Sequence, residues 1–418
     1  MKIIKRLYLM LSLALLMNAV SVAAADRYVG GDISLLPEYE EAGAQYKTHD
    51  GRPVSELLPW LYEQGMNAMR VRLFVDPDNY QGPGADTNAC QSLDYILPLC
   101  QRIKQQGFAL MLDFHYSDTW ADPGAQWTPT AWADLDDTAL AQTLYEYTRD
   151  VLMTLTEAGA QPDFIQPGNE ISYGMLWGPV GTSDKELKKT FMGSDANWHR
   201  LGDLLSHAIK ACREVCPDAG IVLHTERVAT PDVQRNFYDW MQLLDVDYDI
   251  IGLSYYPYFH GPLSSLNRAI EDLEQHFGDK RIMVVETGYS YKWEVPGTDQ
   301  KVDYPYSDEG QNQFARDLVD MLEQHNSVTG LFWWWLEYNA YSTSLSGWYN
   351  APLFDSTTGC ACSALTTICS FAESGNNVNC INTDSPVESL WFDLKGLPVT
   401  DPTLPGFYIS RKGKILIP

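Results

Sequence analysis

Basic residues are scarce in this chain, which has 29 lysines and arginines against 55 aspartates and glutamates and a formal net charge of −26. An acidic surface repels nucleic acid, anionic membranes and polyanionic substrates, so neutral or cationic small molecules and neutral polymers remain as partners. The sequence also lacks a glycine-rich phosphate loop, a Gly-x-Ser-x-Gly nucleophile motif and a His-Glu-x-x-His zinc motif. These absences argue against nucleotide binding, serine-hydrolase chemistry and zinc-dependent hydrolysis.

Long apolar runs are absent after the N-terminus. There, the basic segment MKIIKR precedes an apolar run over 7–20, and three alanines at 23–25 form a small-residue cleavage site. The run is short for a membrane span of about 20 residues, so the pattern indicates a signal peptide over 1–25 rather than an anchor. We therefore predict export to the periplasm, the cell surface or the extracellular space, with no membrane insertion after cleavage.

Eight cysteines, an even number, are compatible with disulfides in an exported chain. Spacing alone leaves the connectivity open, but local pairs are expected: Cys90 with Cys100, Cys212 with Cys216, and at least one bridge within Cys360, Cys362, Cys369 and Cys380. No paired C-x2-C or Cys/His grouping is present. We therefore expect no metal site and no cofactor.

Short strand-like runs alternate with helical patterns along most of the chain. The runs are mostly apolar, as in strands of a parallel sheet that is buried on both faces. They are Tyr28–Asp32, Ala68–Phe74, Ala109–His115, Phe164–Glu170, Ile221–Glu226, Ile250–Tyr256, Arg281–Thr287 and Gly330–Leu336. Eight strand–helix units predict an α/β fold of the closed (β/α)8 type, a TIM barrel. An open doubly wound sheet is the alternative, but such a sheet rarely needs eight units.

The composition changes beyond residue 373. Residues 374–386 (SGNNVNCINTDSP) are typical of a linker, and residues 387–418 contain short alternating runs that predict a small β-rich tail. We therefore predict a signal peptide over 1–25, a catalytic barrel over 26–373, a linker over 374–386 and a tail over 387–418.

Two carboxylates end strands on opposite sides of the predicted barrel. Glu170 closes the fourth run and Glu286 the seventh, and function in such barrels lies at the carboxyl ends of the strands. Hydrolysis of a sugar acetal needs one carboxylic acid to protonate the leaving oxygen and one carboxylate to attack the sugar. The pair is therefore a candidate acid and nucleophile, although an isolated glutamate at a strand end is a weak signal.

Other side chains at the strand ends are candidate substrate ligands, each with a structural alternative. Asn169 is suited to bind a sugar 2-hydroxyl or to cap a turn, Arg70 to hold the nucleophile ionised or to form a structural ion pair, and His115 to contact the sugar or to pack in the core. We expect Tyr255 to hydrogen-bond Glu286, with Tyr256 pointing the other way along a regular strand. The remaining candidates are Asp118 and the possible stacking residues Trp120, Trp177, Trp334, Trp335 and Trp348.

Several long motifs resemble those of glycoside hydrolase family 53, the arabinogalactan endo-β-1,4-galactanases of clan A. They are GGDISLLPEYEEAGAQY, VRLFVDP, LDFHYSDTWADPGAQWTPTAW, QPGNEISYGMLWGPVG, DIIGLSYYPYFHG, VVETGYSY and LFD, in that order between residues 30 and 355. The resemblance implies a retaining mechanism with Glu170 as acid/base and Glu286 as nucleophile. It implies endo cleavage of neutral β-1,4-galactan, as found in type I arabinogalactan and pectin, by a protein expected to be a monomer.

The chain departs from the family at two places. Some bacterial relatives carry a calcium loop after the nucleophile, but KWEVPGTDQKVDYPYSDEG lacks its alternating Asp, His and Asn, so calcium is not carried over. The eighth strand usually ends in a Tyr-Trp-Glu-Pro-like run, whereas here it reads WWWL. Two other functions remain open at this point: another clan A endo-glycosidase, acting on mannan or β-glucan, and a non-catalytic sugar-binding barrel.

Overall fold

The computed structural model describes residues 27–191, 193–296, 298, 302–345, 347–348 and 351–375, and the backbone of four short strands between 391 and 417. The chain divides into two compact units, residues 1–376 and 377–418. The predicted signal peptide, and nearly all of the predicted linker, lie outside the described residues.

Eight parallel strands close into a barrel in chain order, which confirms the predicted (β/α)8 fold. The strands are β1 (Tyr28–Asp32), β2 (Ala68–Leu73), β3 (Ala109–Phe114), β4 (Phe164–Pro167), β5 (Gly220–Thr225), β6 (Ile250–Tyr255), β7 (Arg281–Thr287) and β8 (Val328–Trp333). The seam pairs β1 with β8, Tyr28 lying opposite Gly330. On the other side of β1, Gly30 is required beside β2, because a Cβ there would lie 1.7 Å from the carbonyl oxygen of Ala68.

Helices surround the barrel. They are α1 (Leu36–Glu41), α2 (Leu57–Glu63), α3 (Leu93–Gln106), α4 (Asp137–Glu157), α5 (Asp195–Val215), α6 (Pro231–Leu243), α7 (Pro257–His260), α8 (Leu263–His276), α9 (Asp308–Leu322) and α10 (Ser363–Gly375). Gly107 ends α3 in the left-handed conformation expected of a helix C-terminus. Among the described residues, no helix combines the length and apolarity needed to cross a bilayer.

Two apolar layers form the core. The outward faces of the strands pack against the helices, as Ile251 and Leu253 of β6 do. A smaller cluster fills the barrel interior from alternate positions, including Met111, Val222 and Ile250. Beyond this interior cluster, towards the carboxyl ends of the strands, the barrel interior becomes polar. The next inward-facing positions of the strands carry charged or other polar side chains.

The second unit contains a four-stranded antiparallel sheet. Its strands are β9 (Trp391–Asp393), β10 (Pro398–Val399), β11 (Gly406–Ser410) and β12 (Gly413–Ile417), in the order β10-β9-β11-β12. The hairpin of β11 and β12 pairs Phe407 with Leu416. This sheet lies within the segment for which the sequence predicts short strands.

The two local disulfide predictions are wrong, because these four cysteines are free thiols. Cys212 and Cys216 are one helical turn apart, where Cβ atoms are about 5–6 Å from each other, beyond the roughly 3.5–4.5 Å of a disulfide. Cys90 packs beside the Trp335 cluster, whereas Cys100 lies in the main core. In the C-terminal group the three described cysteines are also free, and Cys380 lies outside the described residues.

Candidate active site

A cavity of about 630 Å³ opens at the carboxyl ends of the strands. Five carboxylates reach its wall: Asp86, Asp122, Glu170, Glu226 and Glu286. Aromatic rings form most of the rest: His115, Trp120, Tyr256, Phe259, His260, Trp334, Trp335 and Trp348. Within the described part of the chain, no lysine or arginine lines this cavity, so its surface is acidic and aromatic.

Glu170 enters the cavity from the loop after β4. Gly168, at φ +105°, ends the strand, and Glu170 itself has φ +48°, a left-handed conformation that costs a non-glycine residue energy. The 3-10 turn Ile171–Tyr173 follows directly. The carboxylate is fixed by the Ser254 hydroxyl, which donates to Oε1 at 2.7 Å. This unusual backbone aims the Glu170 side chain at the cavity instead of along the strand.

Glu286 reaches the same cavity from β7 by way of a β-bulge. Leu253 of β6 pairs with Val284, but Ser254 pairs with Glu286, so Val285 is the extra residue. A bulge of this kind redirects the following side chain, here onto the inward face that Ser254 also occupies. Neighbouring strands lie about 4.8 Å apart, and Ser254 binds the Glu170 carboxylate. Ser254 thus hydrogen-bonds the Glu170 side chain and is the strand-pairing partner of Glu286.

A buried arginine anchors Glu286. Arg70 Nη2 lies 2.9 Å from Glu286 Oε1 and 2.8 Å from Asp113 Oδ2, and Nη1 lies 3.3 Å from Asp32 Oδ2. The guanidinium also donates to Asn169 Oδ1 at 2.9 Å. Arg70 therefore belongs to a buried ion-pair network that includes the candidate nucleophile.

The surroundings of the two glutamates influence their pKa values differently. Burial, with the charges of Glu286 and Glu226, raises the pKa of Glu170 well above its usual range. Burial also raises the pKa of Glu286, to about 7, but the Arg70 guanidinium and the Tyr256 hydroxyl both favour its ionised form. The Arg70 guanidinium therefore favours the ionised form of Glu286, whereas the neighbouring carboxylates favour the protonated form of Glu170.

His115 and Asn169 are held at the cavity wall by fixed partners. His115 Nδ1 accepts from the backbone N–H of Ala121 at 3.1 Å, so the ring proton lies on Nε2, 3.1 Å from Asp113 Oδ2. The Asn169 amide donates to the Ala121 carbonyl at 2.9 Å, and its oxygen accepts from Arg70. Both side chains are therefore oriented before any ligand binds.

Three tryptophans form one wall above a second arginine. Trp120 donates from Nε1 to Asp86 Oδ2 at 2.8 Å. The Arg72 guanidinium carbon lies 4.9 Å from the Trp120 ring, 4.8 Å from Trp334 and 5.4 Å from Trp335. Trp348 lies on another part of the wall, 4.7 Å from the Tyr256 ring. The WWW run begins at the last residue of β8, and its second and third rings, Trp334 and Trp335, line the cavity.

The expected hydrogen bond from Tyr255 to Glu286 is wrong. Tyr256 donates to Glu286 Oε2 at 3.2 Å, whereas Tyr255 donates to the Gly261 carbonyl at 2.9 Å. The alternation of β6 explains the difference. Leu253 faces the helices, so Tyr255 also points outward and its ring lies against Phe314 of α9.

Two further predicted ligands lie away from the cavity. Asp118 accepts from the backbone N–H of Thr130 at 2.7 Å and so fixes a loop. Trp177 is buried, donates to the Tyr173 carbonyl at 3.0 Å and packs edge-on against Trp127. Neither side chain lines the cavity, so the structure gives both a structural role.

Sequence reasoning missed two buried carboxyls near the site. Glu226 follows β5 directly and lines the cavity, and burial raises its pKa to about 7. Glu337 is fully buried after β8, where Oε1 accepts from the Leu35 N–H at 2.7 Å, and burial raises its pKa to about 8. The rule that strand ends carry function would have found Glu226.

The site contains two carboxylates, one at the end of the fourth strand and one at the end of the seventh. They share an aromatic cavity at the carboxyl end of a closed barrel. This arrangement is typical of a glycoside hydrolase. Sequence comparison places the chain more narrowly. It belongs to glycosyl hydrolase family 53, whose model matches residues 28–368.

Individual relatives agree with this assignment. The chain is 34% identical over 322 residues to the arabinogalactan endo-beta-1,4-galactanase A of Emericella nidulans. The matched region covers 75% of this chain and 85% of that protein. Among solved structures, the GH53 catalytic domain of Ignisphaera aggregans matches with a TM-score of 0.70 and 33% identity, over 84% of this chain and 98% of that one. A structure of fungal beta-1,4-galactanases matches with a TM-score of 0.67 and 29% identity, over 82% and 99%.

Proposed function

We propose that the protein is an exported, retaining endo-β-1,4-galactanase, with Glu170 as acid/base and Glu286 as nucleophile. The observation that carries the proposal is the Ser254 link: this serine binds Glu170 Oε1 at 2.7 Å and pairs with Glu286 across one strand spacing. A close pair of carboxylates suits direct attack on the sugar, because an inverting enzyme needs room for a water between them.

The first chemical step follows from the protonation of the pair. Ionised Glu286, stabilised by Arg70 and Tyr256, attacks the anomeric carbon while the Glu170 proton moves to the leaving oxygen. This gives a covalent glycosyl–enzyme and releases the leaving segment with a free 4-hydroxyl at its new non-reducing end. Glu170, now ionised, takes a proton from water in the second step, and the water oxygen displaces Glu286 with net retention.

The cavity wall supports a neutral sugar as substrate. Five carboxylates face it and no described lysine or arginine does, so uronate-rich polymers are disfavoured. Aromatic faces such as Trp334 and Trp348 suit the apolar faces of sugar rings. Trp120, Asn169 and His115 are the further residues that we propose as substrate ligands, with Arg70 acting through Glu286.

The test is product analysis on β-1,4-galactan, with mannan and β-glucan in parallel, for the parent protein and for Glu170→Ala. Galacto-oligosaccharides from the parent alone, with β-anomers formed first in the NMR spectrum, are the expected result. Release of oligosaccharides from mannan or glucan instead of galactan would overturn the substrate assignment. Formation of α-anomers first would overturn the retaining mechanism. Binding of galactan without any release would favour a sugar-binding barrel.

A further inference from the structure

An aromatic pair with one exposed ring follows the acid/base along the chain. The Phe191 and Tyr173 rings have centroids 4.0 Å apart, and Phe191 is 50% exposed. Tyr173 ends the 3-10 turn that begins immediately after Glu170. The loop that carries Phe191 is fixed to this turn, because Thr190 donates from its backbone N–H to the Tyr173 carbonyl at 3.1 Å. The pair is thus built onto the same short turn as Glu170.

Arg227 connects this pair to the cavity. Its Nη1 lies 3.9 Å from Glu226 Oε1, and its guanidinium carbon lies 5.2 Å from the Tyr173 ring. Its positive charge also contributes to lowering the pKa of His260, behind the larger effect of burial, so the two side chains are close. Since Glu226 lines the cavity, Arg227 is adjacent to a residue of the cavity wall and, at the same time, to the Tyr173 ring of the aromatic pair.

Arg227 also has unused hydrogen-bonding capacity. Its Nε is buried and has no hydrogen-bond partner among the described residues. About a quarter of the Arg227 side chain is exposed. An arginine of this kind beside an aromatic face matches a sugar ring, whose hydroxyl oxygens accept hydrogen bonds and whose C–H face packs on the ring.

The chemistry fixes which part of the substrate would lie here. The acid/base donates to the glycosidic oxygen of the leaving group, so the leaving sugars depart on the Glu170 side of the cavity. From this geometry we propose that Tyr173, Phe191 and Arg227 form a binding subsite for the leaving-group segment of the galactan chain, beyond the first leaving sugar. This inference rests on the proposed function and specifies where the polymer continues.

The test compares a substrate that spans the subsite with one that does not. For Phe191→Ala, KM for β-1,4-galactohexaose should rise about three- to tenfold, with a much smaller effect on p-nitrophenyl β-1,4-galactobioside, whose leaving group is a single aryl ring. With a hexaose labelled at its reducing end, the labelled products should become shorter, because binding of the leaving segment is weakened. Phe191→Trp should restore both values for the hexaose.

The matched control is Tyr62→Ala. Tyr62 is also a half-exposed aromatic residue, but it packs on Phe108 at the opposite end of the barrel, so this variant should match the parent on both substrates. Equal KM values and equal product patterns for parent and Phe191→Ala would overturn the subsite. A parallel loss on both substrates would overturn it too. Absence of galactan cleavage by the parent itself would instead refute the proposed function.

Discussion

The hydroxyl of Tyr256 gives the sharpest test of how Glu286 is kept reactive. It donates to Glu286 Oε2 at 3.2 Å, longer than the roughly 2.7–2.8 Å typical of O–H···O bonds. A hydrogen bond to a charged group contributes about 1.5–3 kcal/mol, and the length places this one at the lower end. Removing it with Tyr256→Phe keeps the ring and its contact with Trp348 but weakens the ionised form by about 1.5 kcal/mol.

The sign of the effect follows from the role of Glu286. Losing a donor to the carboxylate raises its pKa, by about one unit at 1.36 kcal/mol per unit. The nucleophile must be ionised, so the acid limb of kcat/KM against pH moves to higher pH by about one unit. At a pH below that limb, kcat/KM falls roughly tenfold further.

The assay is the pH dependence of initial rates on soluble β-1,4-galactan, measured for the parent, Tyr256→Phe and Tyr255→Phe. Tyr255 is the matched control, because its hydroxyl donates to the Gly261 carbonyl and faces the helices. An acid limb that stays in place in Tyr256→Phe would refute the reasoning. An equal shift in Tyr255→Phe would attribute the effect to general loosening of β6.

Three further changes probe the rest of the site. In Ser254→Ala, the alkaline limb should move to higher pH, since this hydroxyl favours ionised Glu170; a pH profile that matches the parent contradicts this. Azide should restore turnover of an activated aryl galactoside with α-galactosyl azide from Glu286→Ala and β-galactosyl azide from Glu170→Ala; reversed products would exchange the two roles. Arg70→Met should lower the free energy of unfolding in urea by about 3–5 kcal/mol, because buried carboxylates lose their counter-ion, and an unchanged midpoint would contradict that.

The order of strands and helices follows closely from the sequence, because each apolar run is short and each is followed by a helical pattern. The positions at which the strands end follow less closely from the sequence. The sequence predicts that the fourth strand reaches Glu170, but the strand ends at Pro167. The φ of +105° at Gly168 interrupts the ladder. The Pro167-Gly168 pair is a turn signal in the sequence, but the predicted strand extends through it to Glu170.

The candidate pair was predictable, while its supporting residues were harder to identify. Glu170 and Glu286 lie at strand ends, which a one-dimensional pattern locates. The choice between Tyr255 and Tyr256 depends on which face of β6 is inward, and the bulge at Val285 sets the direction of Glu286. Such features depend on pairing between strands that are far apart in sequence, so local patterns give no direct signal for them.

The pairing of Tyr28 with Gly330 has a consequence for folding during synthesis of the chain. The barrel cannot close until its eighth strand has been made, some 300 residues after the first. At about 5–20 residues per second, synthesis of that interval takes roughly 15–60 seconds. During this time β1 has an unpaired edge, the kind of surface that binds other chains. Holding the chain unfolded until it is complete would therefore protect it, and the proposed export would achieve this where it precedes folding.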